Sequence, residues 1–150
     1  MNEDEKWMQI AIQEAIKAEK EGEVPVGAII VKGDKLIAKS HNQSIANHDA
    51  SAHAEIQVIR KAGIKLNNYR LSNSKLYVTL EPCAMCLGAI IHARINEIVF
   101  GAYDYKTGVC GSCADLTTAK FFNQTIQVNG GILEYDCKNL ITNFFKIRRY

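Results

Sequence analysis

Leu76-Tyr-Val-Thr-Leu-Glu-Pro-Cys-Ala-Met-Cys86 decides how this chain is read. Leu76 to Leu80 is a short apolar and β-branched run, the pattern of a buried strand. Pro82 then opens a helix, because its missing N–H costs nothing in a first turn. That helix is predicted to continue through Ala89, Ile90 and Ile91 to about Ala93. Cys83 and Cys86 lie three apart, so both fall on one face of its first turn. The positive end of a helix lowers thiol pKa values, and a bound metal requires thiolates.

Upstream stands His53-Ala54-Glu55. Residues two apart in mid-helix point to nearly opposite sides. His53 and Glu55 can share a site only if they occupy a helix's first turn, with the metal just beyond its end. Asp49-Ala50-Ser51-Ala52 supplies candidate caps for such a start. The helix is predicted over Ala52 to Ala62, with Ile56, Ile59 and Ala62 at helical spacing and Gly63 as its stop. One imidazole and two thiolates leave the fourth position of a tetrahedral zinc open to water, which separates a catalytic site from a closed structural one. Glu55 is the right type of group to move protons on and off that water, and so is not counted as a ligand. H-x-E followed by P-C-x-x-C resembles the signature of zinc-dependent base deaminases.

The remaining elements frame these two turns. Residues 4–21 place Trp7, Met8, Ala11, Ile12, Ala15 and Ala18 on one face, and Gly22 follows, so an amphipathic helix is expected. Val26 to Val31 and Lys35 to Ala38 read as a β-hairpin turning at Gly33-Asp34. A polar loop runs from Ser40 to Ser51. Further strands are expected over Ile98 to Phe100 and Ile126 to Val128. A glycine- and polar-rich loop spans Gly101 to about Asp115, a weak helix covers Leu116 to Phe122, and a terminal helix covers Leu133 to Arg149. Helices alternating with strands after the hairpin predict an α/β fold, a mixed sheet with helices on both faces.

Composition bounds the function. At 150 residues the chain is read as one domain, 1–150, able to bury roughly two thirds of its unfolded surface without disulfides. Apolar residues at 47% and charged residues at 23% are ordinary for a globular protein, and a net charge of +2 announces no nucleic-acid partner by itself. Met1-Asn2-Glu3-Asp4-Glu5-Lys6 is acidic and does not read as a secretory leader, and no apolar run approaches a membrane span. Five cysteines, an odd number, point to a reducing compartment, hence a cytoplasmic location.

Other groups have blander readings. Cys110-Gly-Ser-Cys113 is a second C-x-x-C. With Cys83 and Cys86 it would make a closed four-cysteine zinc site, but that leaves His53 and Glu55 without a role. It can also be a redox dithiol, or two ordinary loop cysteines. Cys137 reads as core, Met8 and Met85 as packing, and His41, His48 and His92 as loop or surface residues. The Lys146, Arg148 and Arg149 cluster either solvates a helix end and complements its dipole or contacts phosphates.

Longer runs carry a resemblance over nearly the whole chain. Glu23-Val-Pro-Val-Gly-Ala28, Asn42, His53-Ala-Glu-Ile56, Asn68-Tyr-Arg-Leu71, the 76–86 stretch, Ile91-His-Ala-Arg94, Phe100-Gly101, Asp104-Tyr-Lys-Thr-Gly108 and Phe144-Phe145-Lys146-Ile147-Arg148-Arg149 resemble the bacterial tRNA-specific adenosine deaminases of the cytidine-deaminase-like superfamily. The resemblance implies a three-layer α/β/α fold around a central mixed five-stranded sheet, a homodimer, and conversion of adenosine to inosine at the anticodon wobble position. It implies Zn2+ held by His53, Cys83 and Cys86, with Glu55 as the proton shuttle. Asn42, Pro25 and Val26 match residues around the flipped-out base. Asp104, Asn123, Phe145 and Arg148 match positions that meet the anticodon stem-loop.

Some positions depart from the family pattern. Many relatives carry proline at Ser44 and near Ala50, arginine at Tyr103, and a His-Pro and an Asn-His pair within Leu116 to Gln124, where this chain keeps only Asn123. Tyr103 and Tyr105 can stack on bases or pack within their loop. Two rival functions follow from the same residues: a guanine or cytosine deaminase acting on free bases or nucleosides, and a non-catalytic RNA-binding subunit with a structural zinc. Only a catalytic site has a use for Glu55.

Overall fold

The computed structural model describes residues 1–148. The first helix, α1 (Glu3–Lys20), starts on a capping box: Asn2 Oδ1 accepts from the Glu5 N–H, and Glu5 Oε1 accepts from the Asn2 N–H. Met8, Ala11, Ile12, Ala15 and Ala18 are buried along one face as the spacing requires, and Gly22 at φ +81 releases the chain from the helix. The hairpin is β1 (Gly27–Lys32) and β2 (Lys35–His41), turning through Gly33 at φ +64. Strand β2 runs three residues beyond the expected Ala38, because its partner β1 offers pairing sites as far back as Gly27.

Helix α2 (Ala54–Leu66) passes straight through Gly63 and stops at Asn67, which takes the left-handed conformation at φ 52. Glycine costs a helix interior only about 1 kcal/mol relative to alanine, too little to end it while the helix still packs on the sheet. Strand β3 (Ser74–Leu80) feeds α3 (Ala84–His92), β4 (Glu97–Ala102) follows, and β5 (Gln127–Asn129) precedes α4 (Glu134–Ile147). The expected helix over Leu116 to Phe122 is absent: these residues form turns, with Asp115 bonding back to the N–H and hydroxyl of Thr117. Local side-chain bonds of this kind compete with helix formation. Arg149, the last residue of the expected terminal helix, lies outside the described residues.

The sheet has five strands in the order β2-β1-β3-β4-β5. β1 is antiparallel to both neighbours, while β3, β4 and β5 are parallel. Alternate side chains divide between the two faces. Ala28, Ile30, Leu76, Val78 and Ile98 join Val58 and Ala62 of α2 and Leu87 and Ile90 of α3. Ile29, Val31, Tyr77 and Val99 join Met8, Ala11 and Ile12 of α1 and Cys137 of α4. This is the three-layer α/β/α fold with a central mixed five-stranded sheet. Close approach sets two of the contacts: a Cβ on Gly27 would strike the backbone of α1 at Ala11 and Ala15, and one on Gly101 would strike Cys137. Among the described residues no helix is long and apolar enough to cross a membrane.

Candidate active site

The carboxyl ends of β2, β3 and β4 lie together at one edge of the sheet, where ligands of open α/β folds bind. There α2 and α3 present their first turns to each other. His53 is the N-cap of α2 and Cys83 the N-cap of α3; both have extended backbones, and neither side chain bonds back to its own helix. That leaves both free to converge. His53 Nδ1 stands 3.7 Å from Cys83 Sγ and 3.4 Å from Cys86 Sγ, and the three atoms lie within 4.8 Å of one another. A tetrahedral ion with Zn–N and Zn–S bonds of ordinary length needs N–S separations of about 3.6 Å. The donor set and its spacing therefore fit a metal ion with three protein ligands. Pro82 stands one residue before the α3 cap, outside the first turn in which it was expected.

The caps foreseen in Asp49-Ala50-Ser51-Ala52 are not used for α2. Asp49 bonds to the N–H and hydroxyl of Ser51. The first-turn donor Ala54 N–H instead goes to Asn42 Oδ1 at 2.8 Å. Asn42 follows β2 directly and is itself tied to β1, its N–H donating to the Val26 carbonyl. Glu55, the second residue of α2, is 4% exposed.

A cavity of about 180 Å³ opens over this cluster, lined by Val24, Val26, Asn42, His53, Glu55, Leu80, Glu81, Cys83, Asp104 and Thr107. A larger depression of about 610 Å³ on the C-terminal half of α2 has no histidine, cysteine or carboxylate in its lining, so the chemistry belongs to the smaller cavity. Burial pushes the Glu55 carboxyl up to about 7. Hydrogen bonds from Cys86 and His53 bring the Cys83 thiol down to about 4, whereas that same bond to Cys83, together with burial, drives Cys86 upward. The bond to Cys83 also holds the His53 ring above its usual value. A dication between these sulfurs would favour the thiolate of both.

Of the residues singled out in the sequence, the fold brings Val26, Asn42, His53, Glu55, Cys83 and Asp104 to the cavity, with Cys86 buried behind them. Pro25 is buried beside Val26 without lining it. Asp104 spends its carboxylate on its own loop, accepting from the N–H groups of Lys106 and Thr107 and from the Thr107 hydroxyl. Asn123, Phe145 and Arg148 do not line the cavity. Phe145 is exposed and packs edge-on against Phe144, over whose ring Arg148 lies at 3.7 Å. Tyr103 packs on Phe100 and stacks with the exposed Tyr105. Ser44 is half-buried in the loop after β2, and Ala50 is exposed.

His41 is not the loop or surface residue expected: it is buried at the end of β2, with Nδ1 3.3 Å from Glu14 Oε1 and Nε2 3.1 Å from Glu21 Oε1. Cys137 is core, while Cys110 and Cys113 are free cysteines in a loop, the second exposed. Two buried acids had no place in the reading of site chemistry. Glu23 accepts from the N–H groups of Ile45 and Ala46, and Glu81 accepts from the loop that holds Asp104. The available signal was an acidic residue set directly against an apolar run, Glu23 before Val24 and Glu81 after Leu80.

A family model described as the cytidine and deoxycytidylate deaminase zinc-binding region matches residues 1–102, which makes this chain a zinc-binding deaminase-family protein. It is 48% identical to a tRNA-specific adenosine deaminase of Haemophilus influenzae, covering 97% of this chain and 85% of that protein. It is 43% identical to a tRNA-specific adenosine deaminase of Bacillus subtilis, over 97% and 91% of the two chains. A solved tRNA:A34 deaminase, studied for A-to-I editing at the wobble position of transfer RNA, superimposes with a TM-score of 0.88 at 38% identity, covering 90% of this chain and 98% of that one. The chain belongs to the family of tRNA-specific adenosine deaminases.

Proposed function

We propose that this chain, as a single domain over 1–150, catalyses the zinc-dependent hydrolytic deamination of adenosine to inosine at the anticodon wobble position of tRNA, releasing ammonia. The observation that carries the proposal is Glu55, a carboxyl 4% exposed beside a three-donor cluster at the floor of a cavity. A structural metal has no need of such a group. His53, Cys83 and Cys86 are assigned as the zinc ligands. Bound there, zinc supplies a water with its pKa lowered toward roughly 7.

Glu55 takes one proton from the attacking water and hands it to a ring nitrogen of the base. It then takes the second proton from the added hydroxyl and passes it to the amine, so that the C–N bond breaks, ammonia leaves and the ring carbon keeps a carbonyl oxygen. Its upward shift to about 7 suits a group that must accept and return a proton near neutrality. Asn42 engages its oxygen with Ala54, so its NH2 end is the one with hydrogen bonds to give a base. Val26, with Pro25 behind it, forms the apolar wall. A base can reach a cavity this small only by leaving its stack, which anticodon-loop residues do readily.

Asp104, Asn123, Phe145 and Arg148 are assigned to the RNA outside the cavity. In support, Asp104 sits on its rim, Phe145 is exposed on α4, and Arg148 caps that helix over the ring of Phe144. A homodimer is consistent with exposed Ile64 and Tyr69 around the depression on α2. A cytoplasmic location is consistent with a tRNA-modifying role.

The test is a substrate panel with the zinc-loaded protein: an anticodon stem-loop with adenosine at the wobble position, free adenosine, guanine and cytosine, read by inosine formation and ammonia release. Inosine in the stem-loop, with a rate that falls as salt rises, is expected. Deamination of a free base with none in the RNA would replace this reading with the free-base deaminase.

A further inference from the structure

Glu81 is 3% exposed, and among the described residues no lysine, arginine or histidine pairs with it. Buried polar atoms need hydrogen-bond partners, so something must satisfy its two oxygens. One loop does. Oε1 accepts from the Asp104 N–H at 3.0 Å and from the Ser112 hydroxyl. Oε2 accepts from the N–H groups of Cys110 at 2.9 Å and Ser112 at 3.1 Å. These N–H groups have no strand or helix partner to turn to, so the carboxyl oxygens are what satisfy them. The loop wraps the carboxylate closely enough that a Cβ on Gly108 would stand 2.5 Å from Glu81 Cδ and 2.5 Å from the Asp104 carbonyl oxygen.

This clamp joins two parts of the site. Towards the carboxyl side, the Glu81 main chain leads through Pro82 into Cys83, and the Pro82 carbonyl accepts from the Val109 N–H. On the other side, the clamped loop supplies Asp104 and Thr107 to the cavity wall. We propose that Glu81 is a positioning residue: its carboxylate sets the distance between the metal-ligand turn and the 104–112 loop, and so fixes the wall against which the substrate nucleotide is seated. The proposal rests on the deamination reading for its substrate, while the clamp itself is testable without one.

The full-length, zinc-loaded chain carries the test. Glu81→Gln keeps the volume but turns an NH2 group toward N–H or O–H donors, while Glu81→Asp keeps both acceptor oxygens on a shorter arm. Glu81→Gln is expected to retain one zinc per chain and to raise KM for the wobble-adenosine stem-loop about tenfold or more, with a smaller loss in kcat, since misplacement by an ångström can cost up to about a hundredfold. Glu81→Asp should recover part of that KM. In the same variant, hydrogen exchange at the amides of Asp104, Cys110 and Ser112 should quicken at least tenfold while β1 and β3 stay protected. Ser112→Ala, which deletes one donor and cannot unfold the sheet, should raise KM in the same direction by a smaller factor.

Unchanged KM in Glu81→Gln and Ser112→Ala per bound zinc, or unchanged exchange at the three amides, would overturn the proposal. A wild-type chain inactive on the RNA while exchange responds as expected would count against the substrate reading and leave the clamp standing.

Discussion

Asn42 Oδ1 accepts the N–H of Ala54 at 2.8 Å, so the first turn of α2 is capped by the residue that follows the preceding strand and not by its own N-cap, His53. The arrangement frees the imidazole to face the two sulfurs. With the proposed contact to the base, Asn42 has two separable duties. Asn42→Ala should lower stability by about 1 kcal/mol, the usual worth of a cap, and reduce turnover as well. Asn42→Asp keeps an acceptor for Ala54 but has no NH2 group. It should melt within a few degrees of the wild type while losing about tenfold in turnover, the worth of one hydrogen bond. Thermal melts paired with deamination rates check this. Equal activity in Asn42→Asp and the wild type would remove Asn42 from base contact.

As the proposed proton carrier, Glu55 is expected to support turnover without supporting the fold. Glu55→Gln has nearly the same volume and no charge to bury, so zinc content and melting temperature should hold or rise. Turnover should fall at least ~100-fold, the low end for a general acid–base. Metal analysis and single-turnover inosine formation measure the two together.

Chelation should expose a reactivity order among the five cysteines. Cys83, brought to about 4, is a thiolate at neutral pH, whereas burial pushes Cys110 and Cys137 each up to about 12. Iodoacetamide should label Cys83 faster than those two in the metal-free protein. Its rate should be flat above about pH 5 and fall as the pH drops through 4, because only the thiolate attacks. Restoring zinc should protect Cys83 and leave exposed Cys113 reactive. Mass mapping of the labelled peptides reads the order.

Glu14 gives stability a pH dependence of known sign. Burial pushes its pKa up, but hydrogen bonds from Lys17 and His41 outweigh this and hold it below its ordinary 4.5. A carboxyl depressed in the folded state stabilises above its unfolded pKa, and the contribution is lost as pH falls through the folded value. Glu14→Gln should therefore melt lower than the wild type at pH 7, and the gap should close as pH falls below about 4.5. Melting curves of both proteins from pH 8 to pH 3.5 test this. A gap that stayed constant with pH would show that Glu14 acts through shape alone.

The periodicities of the chain were enough to place α1, the hairpin, β3, α3, β4 and α4, because each buries a face whose spacing is written locally. They misplaced the end of α2 at Gly63, where contact with the sheet outweighs a small local penalty, and they invented a helix over Leu116 to Phe122, where Asp115 and Thr117 bond to one another. His41 shows the same limit: nothing adjacent in sequence reveals that Glu14 of α1 and Glu21, the C-cap of that helix, close around it.

Donor types and their spacing belong to the sequence alone. An imidazole, two thiols three apart and a carboxyl two residues after the imidazole already define the chemistry, because ligand identity and first-turn geometry are properties of short segments. Tertiary structure decided everything that joins distant segments. It set the 3.4 Å and 3.7 Å approach of His53 to its sulfurs, the capping of α2 by Asn42, and the wrapping of the 104–112 loop around Glu81. Burial is a collective property of the packed chain, and burial is what raises the Glu55 carboxyl to about 7 and leaves Glu81 to be satisfied by one loop.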